Sequence, residues 1–153
     1  MRRRIAMVAA VTALMGAGGA VAASPAVAGP RCATGNHCVF WGSIDTARHS
    51  YFDTDRDFSN DTFNQSNGTN GGYGQTVNNN VYSASNSSSS GYESHFYDTV
   101  GGTGFLFCLN PGDYVDTAGT DRPGTTNGDP LPASLRDRAS ALVLRGTTSV
   151  DCY

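Results

Sequence analysis

Beyond the first thirty residues, apolar positions fall in short clusters rather than at helical spacing. Cys38-Val39-Phe40-Trp41 is one, and Ser50-Tyr51-Phe52 is a second. His95-Phe96-Tyr97, Phe105-Leu106-Phe107-Cys108 and Ala141-Leu142-Val143-Leu144 follow. Each is aromatic, β-branched or Leu-rich and is bounded by Gly, Pro or Asp, the pattern of short strands. Between them the chain is loaded with Gly, Asn, Ser, Thr and Asp, which favour turns over helix interiors. The pattern predicts a mostly β domain. One brief helical or 3₁₀ turn is expected over Ser134–Arg138, just after Pro132. The Asn/Gly/Ser runs Asn64–Asn80 and Ser83–Gly91 read as long surface loops.

The N-terminal segment has a different pattern. Arg2, Arg3 and Arg4 precede a nearly uncharged run of Ala, Val, Leu, Met and Gly from Ile5 to about Val21. Small-x-small sites follow at Ala20-Val21-Ala22 and Ala26-Val27-Ala28. This order is that of a cleavable export signal, with cleavage expected after Ala28. The run is short for a membrane span, which needs about 20 strongly apolar residues, and Gly16, Gly18 and Gly19 dilute it. Residues 1–28 are therefore expected to be a signal peptide, and residues 29–153 one secreted, extracellular domain.

That domain carries an internal repeat. Shifting the chain by 56 residues places Phe40 on Phe96, Trp41 on Tyr97, Tyr51 on Phe107 and Asp57 on Asp113. A shift of 57 places Asn80 on Asp137, Ser83 on Ser140 and Ala84 on Ala141. Each half thus holds an aromatic strand, a second one about eleven residues on, a loop, and an Asn/Asp-x-x-Ser-Ala turn. Two such halves are expected to bury their apolar faces against each other as a sandwich.

All four cysteines, Cys32, Cys38, Cys108 and Cys152, lie in this part. An even count behind an export signal reads as two disulfides, with three pairings open. Cys32–Cys38 and Cys108–Cys152 are the expected pairs; the second would tie the last residues to an internal strand. A zinc site is disfavoured, because no CxxC pair is present and the three histidines stand singly.

At this point the residues look like a known family. Two β motifs that each close on an Asn/Asp-x-x-Ser turn are the mark of the βγ-crystallin fold. The Cys32-x5-Cys38 opening runs straight into Val39-Phe40-Trp41, and Tyr97…Gly101-Gly102…Cys108-Leu109-Asn110-Pro111-Gly112 follows. From Cys32 to about Leu144 the chain resembles the secreted bacterial peptidase inhibitors of family I36, which include a Streptomyces metalloproteinase inhibitor. The resemblance implies a sandwich of two Greek-key motifs, the first over about residues 32–90 and the second over about 91–153. It also implies inhibition of an extracellular (metallo)peptidase. Inhibitory loops are expected within Ser59–Gly74 or Thr117–Leu131, with no single reactive residue singled out. Turns of this kind in βγ-crystallins can bind calcium, which makes Asn79, Asn80, Ser83, Asp137 and Ser140 the candidate ligands. No cofactor is otherwise required. The sequence departs from the family pattern at Ala84, where a second Ser is usual, at Arg136, where Asn or Asp is usual, and at Gly102, where an aromatic is usual.

Charge and missing motifs narrow the alternatives. The chain has no lysine; beyond residue 28 seven arginines face thirteen acidic side chains, a difference of −6. Such a domain offers no footprint for nucleic acid or for an anionic membrane. A G-x-S-x-G elbow and an HExxH motif are both absent, so no enzyme is expected. Glu93 and His95 fall on one face of a strand, which fits a reactive pair or a surface couple equally. The Asp53-Thr54-Asp55-Arg56-Asp57 run lacks the glycine and terminal Glu of an EF-hand and reads as a solvated acidic loop. Trp41 is expected in the core. The expected form is a monomer that binds a peptidase; a calcium- or glycan-binding module of the cell surface is the alternative.

Overall fold

The computed structural model describes residues 28–117 and 128–153. The expected export segment, up to residue 27, lies outside them. Among the described residues there is no α-helix, and no helix is long and apolar enough to cross a membrane. Eight strands form: β1 (His37–Phe40), β2 (Arg48–Tyr51), β3 (Ser83–Asn86), β4 (Glu93–Thr99), β5 (Thr103–Leu109), β6 (Tyr114–Asp116), β7 (Asp129–Pro130) and β8 (Ala141–Arg145). All five apolar clusters fall on strands, namely β1, β2, β4, β5 and β8. A single 3₁₀ turn, Phe58–Asn60, begins where Asp57 accepts the Ser59 amide. The helical turn expected over Ser134–Arg138 is instead an irregular turn closed by Leu135 N–H to Pro132 O, 2.9 Å.

The strands make two sheets, ordered β2-β1-β3-β6-β7 and β5-β4-β8. β6 follows β5 in the chain yet pairs with β3 in the other sheet. The reverse exchange also occurs: the stretch after β2 crosses over, and Asp55 bridges to Leu142 of β8. Each half of the chain therefore lends a segment to the other half's sheet.

The pairing fixes the repeat and corrects its register. Phe40 pairs with Ser83 and Tyr97 with Ala141, each one residue beyond the inward-facing Val39 and Phe96. Phe40 is thus equivalent to Tyr97, a shift of 57, rather than to Phe96. In the second strands His37 opposes Tyr51 and Ser94 opposes Leu109, so Tyr51 matches Leu109 rather than Phe107. The closing turns follow a shift of 58, because Asn79 and Asp137 are the two left-handed residues, at φ 56° and 60°. Aromatic abundance misled the alignment: a strand alternates faces, so neighbouring aromatics are interchangeable by composition and opposite by geometry.

The core lies between the sheets. Val39, Ala84 and Val115 from one meet Phe96, Phe107, Leu109 and Leu142 from the other, with Phe58, Phe63 and Leu131 filling the ends. Phe96 and Phe107 stack at 4.7 Å between centroids, and Tyr51 and Phe58 at 4.9 Å. The Ser/Asn run reverses its expected role here. Ser83–Asn86 is the fully buried central strand β3, and Ser87 and Ser88 are buried beside it. Small side chains allow β3 to sit between β1 and β6; Asn86 Nδ2 donates to Tyr92 O and Leu109 O, while the buried Ser85 hydroxyl has no partner among the described residues. Residues 64–80 run over the surface but are strapped down, with Phe63 and Val77 fully buried as anchors. Trp41 is the other correction. It is 38 % exposed and lies against Gly71 and Gly72 rather than in the core.

Both expected disulfides form, Cys32–Cys38 and Cys108–Cys152. Each draws a terminal segment over the outer face of one sheet. The first covers β1, where Cys38 packs with Phe40 and Ile44. The second lays the C-terminus beside β5, with Tyr153 N–H bonded to Cys108 O at 3.0 Å and Asn110 N–H to Tyr153 O at 2.8 Å. Two disulfides fit an oxidising compartment.

Candidate functional site

The two closing turns meet at the junction of the halves. Asn79 N–H donates to Ala139 O at 3.0 Å, and Asp137 N–H donates to Val81 O at 2.9 Å, a reciprocal pair across a local two-fold. Side chains repeat the relation. The Ser140 hydroxyl donates to Asn79 Oδ1 at 3.0 Å, and Tyr82, the counterpart of Ser140, bonds to the Asp137 carboxylate. Partial burial and that carboxylate raise the Tyr82 pKa.

Of the five candidate calcium ligands, Asn79 and Ser140 are bonded to each other at the junction, while the Asp137 carboxylate takes the separate bond from Tyr82. Asn80 turns back to its own loop, donating to Asn78 O at 3.2 Å. Ser83 lies on β3 and donates to Gly42 O at 2.6 Å, beside the Asp116 carboxylate at 3.1 Å. It also accepts the Thr117 amide. Its oxygen is committed to tying β3 to the loop after β1. The Arg136 guanidinium, bonded to Leu131 O and Thr117 O, stands on the same side.

Glu93 and His95 do share one face of β4, but both are only 2 % exposed. They form a buried ion-pairing unit, not a surface couple. His95 Nε2 lies 2.7 Å from Glu93 Oε2, while the Thr148 amide and hydroxyl donate to the same carboxylate at 2.9 and 2.8 Å. Burial pushes the Glu93 pKa up, but the bonds from His95 and Thr148 outweigh it and leave it below the usual range. The C-terminal segment, pinned by Cys108–Cys152, is what covers this face. His95 lies near both sulfurs of that disulfide, the one grouping of three metal-ligand residues among the described ones, and bonding between the sulfurs occupies two of its members. A pocket of about 320 Å³ opens on the other side of the disulfide, walled by Phe105, Phe107, Leu135 and Tyr153.

A second pocket, of about 250 Å³, lies at the end of the domain where β1 starts and β3 finishes. His37 lies in its wall, with Phe52, Asp53, Tyr92 and the Ser88–Ser90 run. His37 is 2 % exposed, and its Nδ1 lies 2.6 Å from the Ser94 hydroxyl. Burial lowers its pKa to about 4, so the ring is neutral at ordinary pH. Sequence reasoning did not gather these residues. His37 and Ser94 stand 57 positions apart, and only the fold's repeat places them opposite each other.

The two candidate inhibitory loops differ in how far they are described. Residues 118–127 of the Thr117–Leu131 stretch lie outside the described residues. Ser59–Gly74 is held along its length. Arg48 and Gln65 exchange backbone bonds at 2.9 and 3.1 Å, Ala47 N–H reaches Gly71 O at 3.0 Å, and Thr69 N–H reaches Asp45 O at 2.8 Å. Asn64, Ser66's neighbour Asn67 aside, and Gly68–Asn70 face outward, and Tyr73 is 56 % exposed. No family model, curated protein or solved structure matches the chain.

Proposed function

We propose that the chain is a secreted peptidase inhibitor built on two βγ-crystallin-type Greek keys. The observation that carries this reading is the reciprocal exchange: β6 joins the first sheet while the Asp55 segment joins β8. The paired left-handed residues Asn79 and Asp137 add support for two matching motifs. The strapped Ser59–Gly74 segment supplies the physical means. A loop already fixed by backbone bonds to β2 and its flanks loses little conformational entropy when it enters a protease cleft.

The test is a titration of oxidised protein spanning Gly29–Tyr153 into secreted proteases, led by thermolysin-like metalloproteinases. A break at one-to-one stoichiometry with the inhibitor left intact supports the reading. Full protease activity beside a folded, uncleaved domain sinks it. Calcium binding is the second reading, favoured by the place of Asn79, Asp137 and Ser140 in the two paired turns. It requires the metal to displace the Ser140 and Tyr82 hydroxyls from those side chains, and calcium takes six to eight oxygens. A rise in melting temperature with calcium and not with magnesium is its signature.

A further inference from the structure

The pocket at the β1 end has a composition that neither reading uses. Phe52 is 74 % exposed and Tyr92 46 %, two large aromatic rings left at the mouth of a small cavity. Between them lie the Ser88–Ser90 hydroxyls, the Asp53 carboxylate, Gly35 and one apolar side chain, Leu144. The side chains of Asp53, Ser89 and Ser90 make no hydrogen bond within the described residues. His37 adds a polar edge: its Nδ1 is taken by Ser94, while no described group bonds its Nε2. A ring nitrogen left over on a nearly fully buried side chain in a pocket wall is a group that needs a partner from solvent.

We propose that this pocket binds one neutral pyranose ring of an extracellular glycan. A sugar ring presents an apolar face of C–H groups and a rim of hydroxyls that both donate and accept. The rings of Phe52 and Tyr92 suit the face, and Ser89, Ser90, Asp53 and His37 suit the rim. Other ligand classes fit worse. The lining holds no Arg, and Asp53 repels phosphate or sulfate. One carboxylate among serine hydroxyls is too poor a set for calcium. At about 250 Å³ the space falls below the range of about 300–1,000 Å³ typical for drug-sized ligands, which points to a single ring.

The site is also built in advance. Ser88 Oγ accepts the Ser90 and Tyr92 amides at 3.3 and 3.1 Å, and Ser88 N–H is held by Asn86 Oδ1 at 2.9 Å. Opposite, the Cys32–Cys38 disulfide and the Gly35 N–H to Ser87 O bond, 2.7 Å, fix the loop that enters β1. Ordering costs are therefore met by folding rather than by the ligand. The proposal stands apart from the inhibitor reading and shares no residue with the Ser59–Gly74 loop. Nor does it use Trp41, which follows the opposite end of β1.

The experiment is an amide-resolved NMR titration of oxidised Gly29–Tyr153 with cellotetraose, chitotetraose and xylotetraose. Saturable shifts confined to His37, Phe52 and Ser88–Tyr92, with at least one of the three sugars and a dissociation constant near ~1 mM or tighter, are expected. Phe52→Ala is expected to weaken that binding about tenfold with the melting temperature unchanged, since the ring is mostly in solvent. Ser90→Ala, also at an exposed position, gives a second and smaller loss. The proposal is overturned if none of the three sugars shifts these residues at ~10 mM. Shifts gathered around Trp41 and Tyr73 instead, or an affinity that Phe52→Ala leaves unchanged, overturn it equally.

Discussion

His37 Nδ1 and the Ser94 hydroxyl lie 2.6 Å apart, joining the first sheet to the second across the domain interior. Both residues are buried, and they occupy equivalent positions in the two halves, at the starts of β1 and β4. The bond therefore sits on the local two-fold and couples the halves directly. Removing the hydroxyl leaves an imidazole nitrogen buried without a partner. Ser94→Ala is expected to cost about 1–3 kcal/mol, read as a lower denaturant midpoint with an unchanged slope.

The same histidine gives stability a pH dependence. Its folded pKa, about 4, lies below the ordinary value of 6.5 because burial disfavours the charged ring. Between those two values the unfolded chain binds more protons than the folded one, so stability rises with pH. It levels off above about 6.5. The full span corresponds to about 3 kcal/mol by linkage. Urea unfolding at steps from pH 4 to 7.5 should show this rise, and His37→Gln should flatten it. A wild-type curve that is already flat over that window would contradict a buried neutral His37.

Glu93 acts in the same direction, on a lower window. Its pKa is below the usual 4.5 because the bonds from His95 and Thr148 outweigh burial. Its contribution is present above 4.5 and fades as pH falls through the lower folded value. Glu93→Gln keeps the shape but turns an amide N–H₂ toward donors. A loss of about 2 kcal/mol is expected at pH 7, shrinking as the wild-type carboxylate protonates. Acid-unfolding curves of the two proteins should converge once pH falls below the depressed folded value of Glu93.

What the sequence carried and what it hid follow from the same physics. The strands rich in Phe, Tyr, Leu and Val were legible because apolar clusters between turn residues have few other fates. β3 was not, because Ser83-Ala84-Ser85-Asn86 has the composition of a loop; it is buried by its neighbours β1 and β6, not by its own hydrophobicity. Trp41 fails in the other direction. Alternation gives Trp41 the core-facing parity of Val39, but it stands just past the end of β1 and packs on Gly71 and Gly72 at the surface instead. The closing turns were visible as a repeat, although which residue adopts the left-handed conformation, Asn79 rather than Asn80, depends on the bond to Ala139 O. The pocket by His37 draws on four separate stretches of chain, so no local pattern announces it.

The two disulfides should differ in weight. Cys32–Cys38 closes a separation of 6 residues and Cys108–Cys152 one of 44. Loop-closure entropy alone assigns about 2 kcal/mol to the first and about 4 kcal/mol to the second. The second also holds the C-terminal segment over Glu93 and His95, so its loss exposes that pair as well. Paired Cys→Ser variants, compared by denaturant midpoint, should rank in that order. Equal losses would mean that the tail stays docked through Asn110 and Tyr153 without the covalent tie.

Gly72 offers a test of the Trp41 placement. Its φ is 82°, a region that side-chain-bearing residues seldom adopt. A Cβ there would lie 2.0 Å from Trp41 Cγ, far inside contact distance, and the obstructing atom belongs to a rigid ring. Gly72→Ala must therefore push the indole off the loop or shift the loop itself. Either movement breaks the seat formed by Gly71 and Gly72 and loosens the strap from Ala47 N–H to Gly71 O. Trp41 is the only tryptophan in the chain, so its fluorescence reports the outcome without labels. A red-shifted emission maximum and a loss of about 1–3 kcal/mol are expected. Gly74→Ala is the control, because its φ of 79° carries the same backbone penalty with nothing within 4 Å of the added Cβ. That variant should lose stability while the emission stays in place. Matching spectra for the two variants would show that the indole does not rest on Gly72.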